Sequence, residues 1–298
     1  MPELPEVETI RTQLEPILVD KKIIRVDIIH SQMVYGQVEK ILGQTITGVF
    51  RRGKILILTL RNGYRLLVHL KMTGQLLVKN AANRKKEQVF VTGSHVRYGA
   101  GSAKKSQAYK GSILLSKHTH AIFFLSRRTH LYYNDVRKFG WVKIIGPKEL
   151  VPFLEKLGPE PLVDLDAIFF QKLVRQSKRA IKFLLMDQTK VAGIGNIYAN
   201  EALFCAKIHP QVSGENLTRQ EASRLLKCVK QVLRKGIKYG GASQSDYVDT
   251  KGEKGRMQEH FMVYDRERKL CLRHCGGTIC RISQLGRSSF FCSMCQKK

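Results

Sequence analysis

The sequence is short of acidic residues. Only 24 Asp and Glu oppose 52 Lys and Arg along 298 residues, which leaves a formal net charge of +28. Such an excess repels itself unless a polyanion neutralises it, so the composition favours a nucleic-acid partner. Hydrophobic residues make up 43% of the chain, an ordinary share for a globular protein, and the length allows two domains with cores of their own.

Long apolar runs and lipidation motifs are missing from the chain, so an anionic membrane is a weaker partner than nucleic acid. The first residues are acidic, unlike those of a secretory signal peptide. We therefore expect a cytoplasmic, nucleoid-associated protein. That it acts as a monomer is a separate expectation, which goes with the family resemblance given below.

A P-loop with its Walker lysine is also missing, so a nucleoside-triphosphate site is not expected. The nearest glycine-rich segment is Gly193-Ile194-Gly195-Asn196. One G-x-G pair is a weak signal, and it also fits a plain turn between helices. Given the charge of the chain, the better interpretation is that these glycines let backbone N–H groups approach a DNA phosphate.

The cysteines do not have the distribution of a disulfide framework. Cys205 and Cys228 are predicted to be spare thiols in a reducing compartment. The other five lie near the end of the chain: Cys271, Cys275, Cys280, Cys292 and Cys295. Their spacing contains C-x3-C-x16-C-x2-C, two close pairs separated by a hairpin-length insert, which is typical of a single structural Zn²⁺. His274 and Cys280 remain competitors for a place in the first pair.

Hydrophobic periodicity predicts a β-rich first part. Asn62-Gly63 indicates a type I′ hairpin turn. Residues 80–112, rich in Lys, Arg, Ser and Gly, are predicted to form a long exposed loop. Strands are expected at 22–30, 55–60, 64–70, 121–125, 131–134 and 141–145.

Helical patterns dominate the second part. Thr218 and Glu221 form a capping box at the start of the last helix. Helices are expected at 164–176, 178–187 and 217–238. The predicted domains are a β-domain at 1–146, a linker at 147–161, a helical domain at 162–264 and a Cys-rich hairpin at 265–298.

The first residues allow two interpretations. Pro5 and Glu6 suit the first turn of a helix, where a missing N–H is harmless and an acidic group complements the helix dipole. If Met1 is removed, however, Pro2 becomes a free amine. An α-amino group titrates near ~7.7–8, so part of it is neutral at neutral pH and can form a Schiff base with an electrophilic carbon.

A set of motifs in order along the whole chain resembles one family, the formamidopyrimidine-DNA glycosylases. The motifs are MPELPEVE at the start, RRGK (51–54), HLKMTG (69–74), NDVRKFG (134–140), LGPEPL (157–162), GIGNIYANEALF (193–204), KIHP (207–210) and GRSSFFCSMCQ (286–296). The resemblance implies a multi-domain α+β fold: an N-terminal β-sandwich, a helix–two-turns–helix domain and a β-hairpin zinc finger, with DNA in the cleft between. It also implies excision of oxidised purines such as 8-oxoguanine from double-stranded DNA, followed by strand scission.

The resemblance also assigns catalytic roles to individual residues. Pro2 matches the nucleophile and Glu3 the catalytic acid, which would handle the proton needed to open the sugar ring. Lys54 and Arg287 match basic residues used in elimination and in placing phosphates. Without the motif around them, each would be one basic residue among 52.

Three further residues match the wedge that fills the gap left by an extruded base. Met72 would be an apolar filler, Arg137 a donor to the orphaned partner base, and Phe139 a stacking aromatic. The remaining positions matched to DNA binding are Glu6, His69, His118, Lys178 and Asn196.

The chain departs from the family pattern at three places. The first cysteine pair has one extra residue, the basic stretch 80–112 is longer than usual, and Ser245 stands where the family usually has Arg or Lys. Because the loop around Ser245 would cover the flipped base, base preference is open. The rival interpretations are an endonuclease VIII-type glycosylase for oxidised pyrimidines, disfavoured by Leu4 in place of Gly, and a non-catalytic zinc-finger protein that binds damaged DNA.

Overall fold

The computed structural model describes residues 1–80, 91–99, 102–109, 116–244 and 246–298. These residues form two compact units. The first contains 1–2, 6–154 and 243–255, and the second contains 3–5, 155–242 and 256–298. In this described part of the chain, no helix is long and apolar enough to cross a membrane. The predicted domain boundaries stay a prediction.

Helix α1 spans Leu4–Leu18 and, from Glu6 onward, belongs to the first unit. Its apolar residues recur at helical spacing and are buried in the core of that unit, which confirms the predicted helix: Val7, Ile10, Leu14 and Leu18.

Two sheets form the β-sandwich of the first unit. The six-stranded sheet has the order β6-β10-β9-β1-β7-β8, and all its neighbours are antiparallel. Its strands are β1 (Ile23–Ile28), β6 (Gly74–Asn80), β7 (Val91–Gly99), β8 (Ser102–Tyr109), β9 (Thr119–Leu125) and β10 (Thr129–Asp135).

The five-stranded sheet has the order β2-β11-β5-β4-β3, with only β2 and β11 parallel. A short helix, α2 (Leu150–Leu154), follows it. Its strands are β2 (Val34–Tyr35), β3 (Ile46–Arg52), β4 (Ile55–Leu60), β5 (Arg65–His69) and β11 (Trp141–Ile145).

The hairpin between β4 and β5 has a different turn from the one predicted. Gly63 has a positive φ of 85°, but Asn62 does not. The N–H of Gly63 donates to the carbonyl of Leu60, at 3.0 Å. A type I′ turn needs two positive φ angles, so the prediction was wrong; a three-residue loop with a single left-handed glycine forms instead.

Residues 91–99 and 102–109 are strands, so the prediction of a loop over 80–112 was wrong for these segments. β7 pairs with β1, with Val26 opposite Tyr98 and Asp27 opposite Arg97. Tyr98 packs against the sandwich core, while Arg97 lies 3.4 Å from the buried Asp27 carboxylate. Pairing with an established strand compensates for the weak apolar content of the segment. Residues 81–90, 100–101 and 110–115 lie outside the described residues.

Helices make up most of the second unit. They are α3 (Ala167–Arg175), α4 (Ile181–Met186), α5 (Asn196–Ala206) and α6 (Arg219–Lys238). The predicted capping box is present: the Thr218 hydroxyl accepts from the N–H of Glu221, and the Glu221 carboxylate accepts from the N–H of Thr218. The predicted helices α3, α4 and α6 are confirmed.

The end of the chain forms an antiparallel hairpin of β12 (Ile279–Gln284) and β13 (Arg287–Cys292). Phe204 of α5 packs in the same small core as Cys271 and Phe290, so the hairpin shares its core with the helices. One sequence-based expectation fails nearby. Cys205 and Cys228 are joined by a disulfide between α5 and α6 and are not spare thiols.

Candidate active site

The Glu3 carboxylate is held at the N-terminus of α5. Its Oε2 accepts from the N–H of Gly195 at 2.6 Å, and its Oε1 accepts from the N–H of Ile197 at 2.8 Å. Glu3 is only 2% exposed. The N-terminus of a helix is an anion-binding arrangement, so the second unit places one carboxyl group at a defined point. Pro2, the residue before it, is buried.

Gly195 allows this approach because it has no side chain. A Cβ at this position would overlap the carboxyl group of Glu3. The interpretation of the segment as a phosphate cradle therefore needs correction, because the N–H groups of Gly195 and Ile197 bind a carboxylate of the chain itself. The same glycine spacing suits a DNA phosphate and a carboxylate of the chain, so the sequence alone did not distinguish these two anions.

Lys54 follows Gly53 in the turn between β3 and β4 and is 6% exposed. The charge of Lys54 acts on His69 at the end of β5. Burial, with the charges of Lys71 and Lys54, lowers the pKa of His69 to about 3. Nδ1 of His69 accepts the N–H of Lys71 at 2.9 Å, so the neutral ring carries its proton on Nε2, where it can act as a donor.

The three residues predicted to form a wedge lie together on the first unit. Nη1 of Arg137 is 3.2 Å from the sulfur of Met72, and the guanidinium carbon is 4.8 Å from the ring centre of Phe139. Met72 is 40% exposed and Phe139 is 53% exposed, unusual for large apolar side chains in a folded protein. The cluster thus offers an apolar and cationic surface to a partner.

Asp135 shapes the loop that carries this wedge, although sequence reasoning gave it no role. The fully buried carboxylate accepts from the hydroxyl of Thr73, from the N–H of Arg137 at 3.1 Å and from the N–H of Gly140 at 2.7 Å. It therefore ties the Met72 loop to the Phe139 loop. Its position inside the NDVRKFG motif was the available signal.

Arg287 begins β13 and is exposed. Nearby, Lys182 of α4 is fully buried, and its Nζ donates to the carbonyl of Ser288 and to the hydroxyl of Ser289, each at 2.7 Å. Burial and the charge of Arg287 lower the pKa of Lys182 to about 7, while the charge of Glu3 opposes the shift. Lys182 was not singled out from the sequence. Lys178, which was, is exposed, and its DNA-binding role stays a prediction.

The other residues matched to DNA binding lie in different environments. His118 and Asn196 are partly exposed, and Asn196 is the first residue of α5. Glu6 is 1% exposed, and its backbone carbonyl accepts from the Tyr247 hydroxyl at 3.4 Å. The DNA-binding roles of these residues stay predictions.

Four cysteine thiols form one cluster: Cys271, Cys275, Cys292 and Cys295. All four sulfur atoms lie within 4.8 Å of one another, and the Sγ of Cys275 is 3.5 Å from that of Cys292. Tetrahedral coordination with Zn–S bonds of about 2.3 Å would put the sulfur atoms about 3.8 Å apart, so the cluster fits such an ion. Neither competitor for the first pair, His274 nor Cys280, belongs to the cluster.

Residues 243–255, which follow α6, belong to the first unit and are held there by hydrogen bonds. The Ser243 hydroxyl donates to the carbonyl of Tyr247 at 2.7 Å and accepts from the N–H of Gly255 at 2.9 Å. Gln75 donates to the carbonyl of Asp246 at 2.8 Å. Burial raises the pKa of the Tyr247 hydroxyl above its ordinary value. Ser245 lies outside the described residues.

Family models match most of the chain. Residues 1–142 match the formamidopyrimidine-DNA glycosylase N-terminal domain, and residues 157–248 match the H2TH domain of the same enzymes. With the β-sandwich, the helical unit and the four-cysteine hairpin, these matches define a DNA glycosylase of the helix–two-turns–helix class.

Individual relatives identify the family. The chain is 39% identical to the formamidopyrimidine-DNA glycosylase of Desulforamulus reducens, over 100% of this chain and 99% of that protein. It is 34% identical to wild-type Lactococcus lactis Fpg in complex with DNA containing N7-benzyl-Fapy-dG, with full coverage of both chains and a TM-score of 0.82. A complex of L. lactis Fpg with abasic-site DNA has the same TM-score at 33% identity, with 99% of this chain and 100% of that one covered. The chain belongs to the formamidopyrimidine-DNA glycosylase family.

Proposed function

We propose that the protein removes oxidised purines, such as 8-oxoguanine and formamidopyrimidines, from duplex DNA and then cleaves the strand at the resulting abasic site. The observation that carries the proposal is the Glu3 carboxyl group, fixed on the N–H groups of α5 directly after the residue that would be the nucleophile. A fixed carboxyl group that can carry a proton, beside an N-terminal amine, is the arrangement that Schiff-base chemistry on a sugar requires.

Pro2 and Glu3 divide the first step between them. After removal of Met1, the secondary amine of Pro2 attacks the anomeric carbon of the damaged nucleotide. The bond from the sugar to the base breaks as the nitrogen–carbon bond forms, and the base leaves with the bonding electrons and takes a proton from water. Glu3 accepts the proton that the amine of Pro2 loses and passes it to the ring oxygen as the sugar opens, which leaves a Schiff base between Pro2 and the sugar.

Lys54 and Arg287 act in the steps that follow. Both are cationic, so each can bind the phosphates that flank the opened sugar. Elimination removes a proton from the sugar carbon next to the Schiff base, forms a carbon–carbon double bond and breaks the carbon–oxygen bond to a phosphate, which leaves. The proton goes to water, and hydrolysis of the Schiff base returns the free amine of Pro2. The charges of Lys54 and Arg287 stabilise the phosphate that leaves.

Duplex DNA is the proposed partner, and the wedge is the proposed means of opening it. The damaged nucleotide must leave the base stack before Pro2 can reach its sugar. Met72 and Phe139 would fill the space, and Arg137 would donate to the partner base. The complexes of L. lactis Fpg with lesion-containing DNA support this proposal, as do the exposed apolar surfaces of the wedge.

We propose that the four-cysteine cluster holds one zinc ion with a structural role. Four thiolates complete a tetrahedral shell and leave no position for a water nucleophile. The ion would fix the ends of the β12–β13 hairpin, and with it the position of Arg287. Chemistry at the sugar then depends on Pro2 and Glu3 and not on the metal.

Borohydride trapping tests this function directly, because borohydride reduces a Schiff base to a stable covalent bond. A duplex with 8-oxoguanine should yield a covalent protein–DNA complex, and one with an oxidised pyrimidine should yield much less. The variant Pro2→Gly should fold and bind DNA but release base far more slowly. More efficient trapping on oxidised pyrimidines would favour the endonuclease VIII-type alternative.

A preparation that retains Met1 is the matched control, because it keeps the fold and every other side chain while an amide replaces the free amine. Intact mass establishes which form is present. We expect DNA binding without trapping. Full activity of protein shown to retain Met1 would refute the amine mechanism.

A further inference from the structure

Side chains of the second unit hold the outer edge of β13. Among the described residues, β13 pairs only with β12, so its other edge needs hydrogen-bond partners from elsewhere. The carbonyl of Ser288 accepts from Lys182 of α4 at 2.7 Å. The N–H of Phe290 donates to Oδ1 of Asn200 on α5, also at 2.7 Å. Two helices thereby set the position of the strand that begins with Arg287.

Asn200 is fully buried, and both ends of its amide are hydrogen-bonded. Oδ1 accepts from Phe290, and Nδ2 donates to the backbone carbonyl of Asn196 at 2.6 Å. A buried amide that loses a partner is costly, so the side chain has one favourable position. It links the first residue of α5 to the middle of β13.

Asn200 connects two residues that we assign to DNA binding. Asn196 begins α5, and its side chain is also hydrogen-bonded to Tyr264. Arg287 begins β13, three residues before Phe290. We propose that Asn200 is a positioning residue that fixes the separation of Asn196 and Arg287, so that both engage the DNA backbone at the same time.

The physical reason for such a role is the entropic cost of ordering the two segments that carry Asn196 and Arg287. Two contacts from separate segments act together only when their spacing already matches the ligand, and otherwise each binding event must first order the segments. Asn200 is inaccessible to solvent and cannot touch DNA in this conformation, so it would act only through the residues it holds. The inference rests on the proposed function, because it takes the phosphate-binding role of Arg287 from there, and the role of Asn196 is the one that the family resemblance implies.

A double-mutant cycle tests the proposal. The ratio kcat/KM for excision of 8-oxoguanine is measured for the parent, Asn200→Ala, Arg287→Ala and the double variant. We expect Asn200→Ala to lower kcat/KM by roughly tenfold in the parent. In the Arg287→Ala background, the same change should have little further effect, because the group it positions is gone. If Asn200→Ala lowers kcat/KM by the same factor in the parent and in the Arg287→Ala variant, the proposal is overturned.

A second variant separates positioning from stability. Asn200→Asp keeps an oxygen that can accept from Phe290, but it buries a carboxylate and loses the donor to Asn196. We expect thermal stability to rank Asn above Ala and Ala above Asp, whereas activity below all three melting temperatures should rank Asn above Asp and Asp above Ala. Activity that simply follows stability would reject a positioning role.

Glu201 provides the control on the same helix. Its buried carboxylate accepts from the N–H groups of Met262, Val263 and Tyr264, which precede the hairpin. Glu201→Gln should lower stability, and its effect on kcat/KM should be independent of Arg287. If Arg287→Ala and Asn196→Ala both leave DNA affinity and activity unchanged, the site assignment under the proposed function fails. If Arg287→Ala and Asn196→Ala lower both DNA affinity and activity, but the effect of Asn200→Ala does not depend on Arg287, only the present inference fails.

Discussion

Gly195 is the residue on which the position of the Glu3 carboxyl group depends. We predict that Gly195→Ala preserves the fold but lowers the rate of base excision by about a hundredfold, because the new Cβ would displace the carboxyl group of Glu3, the proposed catalytic acid. Single-turnover excision of 8-oxoguanine at saturating DNA measures this effect.

Gly99→Ala is the matched control for this change. A Cβ at Gly99 would make only ordinary contact with Arg25, 3.5 Å from its Cγ, in a strand far along the chain from the proposed catalytic residues. Its excision rate should equal that of the parent. A Gly195→Ala variant with the parental rate would show that the position of Glu3 does not limit the chemistry.

Lys182 should make stability depend on pH. Its pKa falls from 10.5 to about 7 on folding, so the unfolded chain binds more protons between these values. The free energy of unfolding should therefore gain a contribution that rises with pH from about 7 to about 10.5, by at most about 1.4 kcal/mol per pH unit.

Denaturant unfolding of the parent and of Lys182→Met, compared at several pH values across this window, isolates that contribution. The difference between the two proteins should change steadily with pH, whereas groups common to both cancel. A constant difference from pH 7 to pH 10 would mean that Lys182 titrates normally in the folded protein.

The motifs predicted the exposed wedge and the four-cysteine cluster from sequence, and the structure brings both sets together. Asp135 and Lys182 were missed because their roles depend on distant partners. Lys182 is buried, and its Nζ bonds to β13, more than 100 residues later. A single basic residue among 52 gives no local signal of such a contact.

Among the secondary-structure elements, the confirmed predictions are those with strong local patterns. The α6 helix has both a capping box and an apolar face, so its start was predictable. β7 and β8 were not, because their sequences are mostly polar. β7 takes strand conformation by pairing with β1, a non-local interaction, and β8 pairs with β7. The alternation of Val96, Arg97 and Tyr98 was the only local signal.

The β12–β13 hairpin should depend on the zinc ion that we propose for the four-cysteine cluster. We predict that Cys292→Ser abolishes stoichiometric zinc binding and weakens DNA binding, because three thiolates hold the ion less well and Arg287 loses its support. Metal analysis of the purified protein, together with DNA titration, measures both effects.

Cys280→Ser is the control in the same hairpin, since Cys280 lies on β12 and outside the cluster. It should retain zinc and bind DNA normally. Loss of zinc from Cys280→Ser, or its retention by Cys292→Ser, would mean that the ligand set differs from the four cysteines assigned.

The charge of the whole chain, +28, exceeds what the proposed catalytic and wedge residues account for. Much of the excess is spread over the surface, where it can attract DNA of any sequence. The β7–β8 hairpin extends one edge of the six-stranded sheet, and Lys104 and Lys105 lie on its outermost strand. Since β7 pairs with β1, removing the hairpin would disturb the sheet, so charge is the better variable to change.

We predict that Lys104→Gln with Lys105→Gln weakens non-specific DNA binding without affecting catalysis. Each phosphate contact contributes about −0.9 to the slope of log K against log salt, so losing two should flatten the slope by up to about 2 units. The saturated single-turnover rate should not change, because no proposed catalytic residue lies in this strand. Lys148→Gln with Lys156→Gln, exposed lysines beyond the β-sandwich strands, removes equal charge and should leave the slope closer to the parental value. A loss of rate at constant slope would instead place the hairpin in the lesion site.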